Sequence, residues 1–331
     1  MTIQVSKRAM FSAVAALALG ALSSQPALAQ SYPDKPITMI VPFSAGGPTD
    51  TVGRILAQSM TGFLKQQVII ENVGGAGGTL GAARVARAEP NGYTIFLHHI
   101  GQSTAPALYR KLSYNAADDF TPIGLVADVP MTLVARKDFP AKDLKELIAY
   151  VQTHKDKVTY ANAGVGSASH LCGMLLMSAI KADLTTVPYK GTGPAMNDLL
   201  GGQVDFMCDQ TTNTTGQIKA GKIKAYAVTT PNKVPSLPDL PVASANGLPG
   251  FEIAVWHGLY APKNLPKPIA DKLVAALQHA VKDPMVKQKL ADLGTEPASP
   301  ARATPAALDQ FLRSEIVKWM RIIKQAGVYA D

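Results

Sequence analysis

The chain has 331 residues, 32 Lys and Arg against 24 Asp and Glu, and a hydrophobic fraction of 47%. That composition excludes a disordered or low-complexity chain, and a positive excess spread along the sequence rather than gathered in a block argues against a nucleic-acid surface. Only two cysteines are present, and the six histidines are scattered apart from His98-His99, with no H-x-x-x-H or C-x-x-C spacing. No metal centre and no cofactor are therefore expected.

Residues 1–29 read as a secretory signal peptide. Lys7 and Arg8 supply the charged start, residues 9–22 are largely apolar, and Ala27-Leu28-Ala29 supplies the small residues of a cleavage site before Gln30. A membrane anchor needs about 20 apolar residues, and this run is shorter and broken by Gly20, Ser23 and Ser24. Cleavage leaves roughly 300 residues, enough for two lobes or one large domain, and removes two of the charges behind the formal +8. In an exported chain Cys172 and Cys208 can form one disulfide or remain two separate thiols, and the sequence leaves both open.

The stretch around which the mature chain is organised is residues 38–54, TMIVPFSAGGPTDTVGR. A β-branched run at 37–41 ends at Pro42, a Gly-containing turn follows, and a helical pattern begins near Thr49. The first N–H groups of such a helix lack partners within it and its dipole adds partial positive charge, so an anion is favoured there. Gly46 and Gly47 let a ligand approach the backbone. A carboxylate fits better than a phosphate, because the Lys of a phosphate-binding loop is absent. The same pattern also suits a plain tight turn with Thr49 or Asp50 as the cap.

Residues 67–71 are the next strand-like run. The Gly-rich residues 72–81, NVGGAGGTLG, then lead into a helix at 82–88. The G-x-G-x-x-G fingerprint fails because Leu80 stands sixth from Gly75, so no dinucleotide is expected. A strand at 93–97 runs into the polar loop from His98 to Ser103. Three such strand ends, each followed by a helix, describe an open α/β sheet, whose ligands bind beyond the carboxyl ends of the strands.

Further on, residues 131–135 read as a strand and 144–152 as a helix. A strand at 158–161 enters the Gly/Ser loop 162–170, with a helix at 171–180 behind it. Lys190-Gly191-Thr192-Gly193 precedes a helix at 194–200, residues 204–208 form an apolar strand ending at Asp209-Gln210, and 225–229 form another. Residues 231–249 are Pro-rich and extended. Residues 253–260, with Trp256, return toward the first lobe, and helical patterns at 269–281 and 305–326 close the chain. A chain that crosses twice between lobes makes a hinge. Anion-friendly loops in both lobes point to a small ligand held between them.

Ser167 and His170 raise the alternative of an exported serine hydrolase, but G-x-S-x-G is missing, since Val165 and Ser169 flank Ser167 at the critical positions. Asp50 and Asp209 as paired acid-base carboxylates are a further option, set against the commonness of capping aspartates.

The ordered motifs Tyr32-Pro33-Asp34-Lys35-Pro36-Ile37, then residues 41–50 (VPFSAGGPTD) with Arg54, Glu71-Asn72, residues 75–79 (GAGGT) and Pro90-Asn91-Gly92-Tyr93-Thr94 continue in residues 166–171 (GSASHL), Tyr189-Lys190-Gly191 and Gly201-Gly202-Gln203-Val204-Asp205. Together they resemble the substrate-binding proteins of the tripartite tricarboxylate transporter system, the Bug family of periplasmic solute receptors, over essentially the whole mature chain. Val73-Gly74 stands where the family commonly has Arg-Pro, and Asn91 where it has Asp. The resemblance implies a two-lobed α/β receptor of the Venus-flytrap kind, each lobe a mixed sheet flanked by helices, located in the periplasm as a monomer without enzymatic activity. It would capture a small carboxylate between the lobes and deliver it to a large and a small membrane subunit. Lobe 1 would be 30–128 plus 252–331, and lobe 2 would be 129–251. The residues implied at the ligand are Phe43, Ala45, Gly46, Gly47, Asp50 and Ser103 on one side, and Ala163, Gly166, Ser167, Ser169, His170 and Asp209 on the other. His99 and Trp256 would line an aromatic wall if they face the cleft.

Overall fold

Apolar residues on both faces put the first strand, β1 (Ile37–Val41), in the middle of a sheet, where Ile37, Met39, Ile40 and Val41 are buried. The computed structural model describes residues 32–327 and 329–330, so the expected signal peptide at 1–29 lies outside the described residues. Residues 35–331 form one unit. Of the stretch before it only 32–34 are described, with a cis Tyr32-Pro33 peptide.

After β1 come α1 (Pro48–Leu64), β2 (Val68–Asn72), α2 (Thr79–Ala86), β3 (Thr94–His99), α3 (Gly101–Leu108) and the long β4 (Phe120–Arg136). Then follow α4 (Leu144–Thr153), β5 (Thr159–Asn162), α5 (Ala168–Ile180), β6 (Thr185–Pro188), α6 (Thr192–Leu200), β7 (Phe206–Gln210), α7 (Thr211–Lys219) and β8 (Ile223–Val228). The chain ends with β9 (Ala254–Pro262), α8 (Lys267–Lys282), α9 (Pro284–Asp292), the short β10 (Glu296–Pro297) and α10 (Pro305–Ala326).

The sheet runs in the order β2-β1-β3-β9-β4-β7-β5-β6, with β8 and β10 also paired to β4. It has two halves that share β4. Residues 120–130 of that strand pair antiparallel with β9, and residues 131–136 pair with β7 and β8. In the first half β2, β1 and β3 are parallel, and in the second β6, β5 and β7 are parallel. Both parallel sets send the carboxyl ends of their strands into loops that start helices, the arrangement that places ligands in α/β sheets. The chain returns from the second half where Thr229 bonds both Met131 and Ile253, beside the point where β4 crosses.

Three elements differ from the sequence expectation. The strand expected at 131–135 extends back to Phe120. Pro122, Gly124 and Pro130 disguise it, and it tolerates them through register shifts after Pro122 and after Leu125. The polar segment TTNTTGQIK is α7, whose buried face is made of Thr211, Thr212, Thr214 and Thr215 rather than of aliphatic residues. Thr214 meets Thr132 of β4 through their hydroxyls at 2.9 Å. The third element, α9, starts at Asp283, whose carboxylate accepts the Met285 N–H, with Pro284 in the first helical position.

Cys172 in α5 and Cys208 in β7 are joined by a disulfide with Cα atoms 6.1 Å apart. Of the two options the sequence left open, the bridge is the one present. It ties the helix behind the Gly/Ser loop to the strand that carries Asp209.

Candidate functional site

Four helices begin at one cavity. Pro48 and Thr49 of α1 come from the first half; Ser167, Ala168 and Ser169 at the start of α5, Thr192 at the start of α6, and Gln210, the cap of α7, come from the second. Phe43, His99, Ala163 and Asp209 complete the lining. First-turn N–H groups have no acceptor inside their own helix, and each helix end carries about half a positive charge. Among the residues lining the cavity none is Lys or Arg. Partial positive charge at the lining is therefore that of the helix ends.

The first-half wall is held by Asp50. Its carboxylate accepts the Gly46 N–H at 2.9 Å, the Arg54 Nε at 2.9 Å and the Asn72 side-chain amide at 3.0 Å, while that same Asn72 amide also donates to the Phe43 carbonyl. Burial pushes its pKa up, but Arg54, the Gly46 N–H and Asn72 outweigh burial and hold it below the ordinary value. Asp50 therefore lies beneath the loop as its brace and is not part of the lining. Ala45 and Gly46 are exposed at the rim. Gly47 caps α1 in an extended conformation, 3.3 Å by a notional Cβ from the N of Gly193 in the second half.

Behind Phe43 sits a group of uncharged imidazoles. The Phe43 ring stacks on His99 at 4.5 Å, and His257 meets His99 edge-on and bonds the Thr49 hydroxyl at 3.3 Å. The Gly101 N–H donates to Nδ1 of His99 at 3.0 Å, which leaves the ring proton on Nε2. Burial depresses the His99 pKa to about 3 and lowers those of His98 and His257 well below the ordinary value. His99 is thus a neutral N–H donor in the cavity wall.

In the second half, the Ser167 hydroxyl accepts the His170 backbone N–H at 3.3 Å as the cap of α5 and lies 3.2 Å from the Ser169 hydroxyl, which accepts the Ala163 N–H at 2.9 Å. The ring of His170 accepts the Gly166 N–H at its Nδ1, and it is the His170 backbone, not its ring, that bonds the Ser167 hydroxyl. Burial lowers its pKa to about 4. The Ser167 hydroxyl is a capping group here and has no base behind it.

Asp209, 1% exposed, lies one residue before the end of β7 in the cavity wall. Burial raises its pKa to about 6, against the lowering effects of the Asn213 amide at 2.5 Å, the Gln210 N–H and the Thr192 hydroxyl. Beside it the buried Oε1 of Gln210 has no partner.

Of the expected residues, the structure brings Phe43, Ala163, Ser167, Ser169 and Asp209 together at the cavity. Ser103 lies one turn into α3 with its hydroxyl on the Ile100 carbonyl, and Gly166 and His170 lie outside the lining. Trp256 faces away: its indole donates to Glu315 of α10, as does Trp319, and all three line a larger groove on another face. Thr192 and Gln210 were not among the expected residues, although the turn Lys190-Gly191-Thr192-Gly193 is the same strand-to-helix signal as residues 43–50.

The halves touch around the cavity mouth. The Ser44 N–H donates to the Lys190 carbonyl at 3.0 Å, the Tyr109 hydroxyl to the Val165 carbonyl at 2.9 Å, and the Thr104 hydroxyl to the Gly166 carbonyl at 3.1 Å. Glycines make this approach possible. A Cβ on Gly77 would stand 1.9 Å from the Val165 carbonyl, and one on Gly193 would stand 2.8 Å from the Ala45 carbonyl. The Gly-rich residues 74–78 therefore serve a backbone-to-backbone seam, which explains why they carry no nucleotide fingerprint.

This α/β fold, with helix N-termini from both halves aimed at one enclosed cavity, is that of a periplasmic binding protein. The profile of the tripartite tricarboxylate transporter family receptor matches residues 52–328, and the chain belongs to that family. It is 52% identical over 297 residues, 90% of this chain and 86% of the other, to a UPF0065 protein in the TAR-I ttuE-ttuC' intergenic region of Agrobacterium vitis. Among solved structures it is similar to the periplasmic binding protein BugD, with 54% identity and a TM-score of 0.88 over 90% of this chain and 99% of that one. It is also similar to MatC of Rhodopseudomonas palustris with bound malate, with 44% identity and a TM-score of 0.85 over 88% and 100% of the two chains.

Proposed function

We propose that the protein is an exported receptor that captures a small organic acid between two lobes, residues 30–128 plus 252–331 and residues 129–251, and hands it to the large and small membrane subunits of a tripartite transporter. The signal peptide at 1–29 is removed on export, and the receptor works as a monomer without catalysis. The observation that carries this reading is the convergence of four helix N-termini on one cavity that no Lys or Arg lines. Such a site stabilises a carboxylate through charge-assisted N–H bonds, strengthened by the exclusion of water. The bound malate of MatC, at 44% identity, supports the ligand class.

The cavity as it stands has room for about one water. Entry of an acid therefore requires the halves to part, and the crossings at Met131 and Thr229–Ile253 are where they would turn. A ligand that bridges both walls binds the closed form better and shifts the population toward it. The lining residues Phe43, Ala163, Ser167, Ser169 and Asp209, with Thr49, His99, Thr192 and Gln210, would hold it. Ala45, Gly46 and Gly47 would shape the mouth.

A thermal-shift screen of the purified protein against mono-, di- and tricarboxylates, aromatic acids and amino acids tests the reading. A saturable rise in melting temperature for one acid class is expected, because a ligand selective for the folded state stabilises it. No shift with any acid, in protein shown by mass spectrometry after denaturation to carry none through purification, would sink it.

A further inference from the structure

The second-half wall asks for something that a plain carboxylate does not offer. Every other polar group described above at the cavity donates or can donate: the first-turn N–H groups, the hydroxyls of Thr49, Ser167, Ser169 and Thr192, and Nε2–H of His99. Against them stand acceptors on two consecutive lining residues, Asp209 and Gln210. An ionised carboxylate offers about four acceptor positions, and Asp209 fills three of them with the Asn213 amide, the Gln210 N–H and the Thr192 hydroxyl. The neighbouring Gln210 Oε1, on a side chain 3% exposed, has none filled. A buried acceptor without a partner is costly, and a buried carboxylate beside an incoming carboxylate more so.

Resting on the receptor reading above, we infer that the ligand is a carboxylic acid that bears a hydrogen-bond donor, a hydroxyl or an ammonium group, beside its carboxylate, and that Asp209 with Gln210 is the specificity-determining pair that receives it. The ligand carboxylate takes the helix N-termini and the donor group takes the two acceptors. An acid without the donor would bring like charge to Asp209 and leave Gln210 unpaired. The wall thus discriminates among acids of one length by what hangs on the carbon next to the carboxylate.

The other titratable groups around Asp209 do not change charge in the working range. Tyr160 of β5, buried behind it, has its pKa pushed up, largely by burial with a contribution from Asp209 itself. His99 at the end of β3 and His170 of α5 are held neutral by burial down to about 3 and 4. Asp50 of α1 stays ionised against Arg54. Asp209 alone titrates near 6. Donor-bearing acids should therefore bind more tightly as pH rises through that value, since they need the ionised carboxylate. Acids without the donor should bind less tightly, since they need it protonated.

Calorimetric titrations of the purified protein with matched acids test this: succinate against malate and aspartate, glutarate against 2-hydroxyglutarate and glutamate, and phenylacetate against mandelate and phenylglycine, each from pH 5 to 8. In the length class that binds, the donor-bearing acids should exceed their plain analogue by about 10- to 100-fold at pH 7–8, the range for a hydrogen bond to a charged group. Which of the two donors wins assigns hydroxyl or ammonium. Asp209→Asn should reduce the advantage to a few-fold and remove the opposed pH trends. Equal binding of plain and donor-bearing acids by the wild-type protein overturns the inference and leaves the receptor reading intact. Failure of every acid to bind, in this series and in the thermal-shift screen, overturns both.

Discussion

The first-half wall, from Phe43 to Thr49 with His99, presents neutral imidazole and backbone N–H groups, whereas the second-half wall places one buried carboxylate among hydroxyls and helix caps. The first wall can hold the carboxylate of any small acid, because it uses groups that every such ligand satisfies. The second wall is more demanding, since Asp209 and Gln210 must be met by a particular kind of partner. On the reading proposed above, helix N-termini of both halves carry affinity for the class, and the second half alone carries the choice within it. Closure brings the two requirements together.

The comparison can be broken most severely through the disulfide, which braces only the second wall. It closes a 36-residue separation between α5 and β7, and a loop of that size is worth about 4 kcal/mol in the chain-entropy account. The Cys172→Ser, Cys208→Ser double variant should lose stability of that order by denaturant unfolding. If its midpoint matches that of the wild type, the bridge does not hold the second wall.

Asp209 gives the next largest effect, and its sign is opposite to that of a paired surface carboxylate. Its pKa is about 6 in the fold against 3.8 as the ordinary value, so between those values the folded state keeps a proton the unfolded state has released. Stability then falls as pH rises from about 4 to 6, by up to about 3 kcal/mol, and the loss persists above 6. Asp209→Asn should be the more stable protein at pH 7 and should flatten that slope, while its ligand discrimination declines. Thermal melts of the two proteins from pH 4 to 8 check this, and parallel curves would contradict it.

Closure itself can be probed without touching either wall's polar groups. The N-terminal turn of α6 accommodates a Cβ at Gly193 within its own backbone, but that Cβ would meet the Ala45 carbonyl of the other half at 2.8 Å. Gly193→Ala should keep the wild-type melting temperature without ligand and lose about tenfold or more in affinity, because the competent closed state becomes rarer. Unchanged affinity would mean that the seam is not formed when ligand is bound. An effect of comparable size, with no seam contact involved, is expected for Ser167→Ala, about 1–2 kcal/mol in binding free energy by calorimetry, the order of one hydrogen bond to a charged group. Wild-type affinity in the folded variant would remove Ser167 from the ligand.

The sequence revealed the first wall better than the second for a physical reason. A β-branched strand, a glycine turn and a helix start at residues 37–50 are close together in the chain, so their joint meaning can be read locally. Asp209 was readable as the end of an apolar strand. The acceptor role of Gln210 and the donor role of Thr192 depend on α6 and β7 arriving beside Asn213, which no local pattern records. The helix α7 went unseen because its buried face is threonine, and the length of β4 was hidden by prolines that a bulged strand can carry. Asp50 was read as a ligand contact because an acidic residue in a helix's first turn looks the same whether it faces the cavity or, as here, braces the loop from beneath. For Trp256 the condition of facing the cleft is not met, and strand alternation gives the reason: His257 faces Thr49, so its neighbour faces α10.

The central claim is that a ligand carboxylate rests on helix N-termini contributed by both halves. A crystal structure of the protein with the acid selected by the thermal-shift screen tests it most directly. The account predicts carboxylate oxygens within hydrogen-bonding distance of first-turn N–H groups of α1 and of α5 or α6 at once. An acid bound to one half alone, or in the groove beside Trp256 and Trp319, would contradict it.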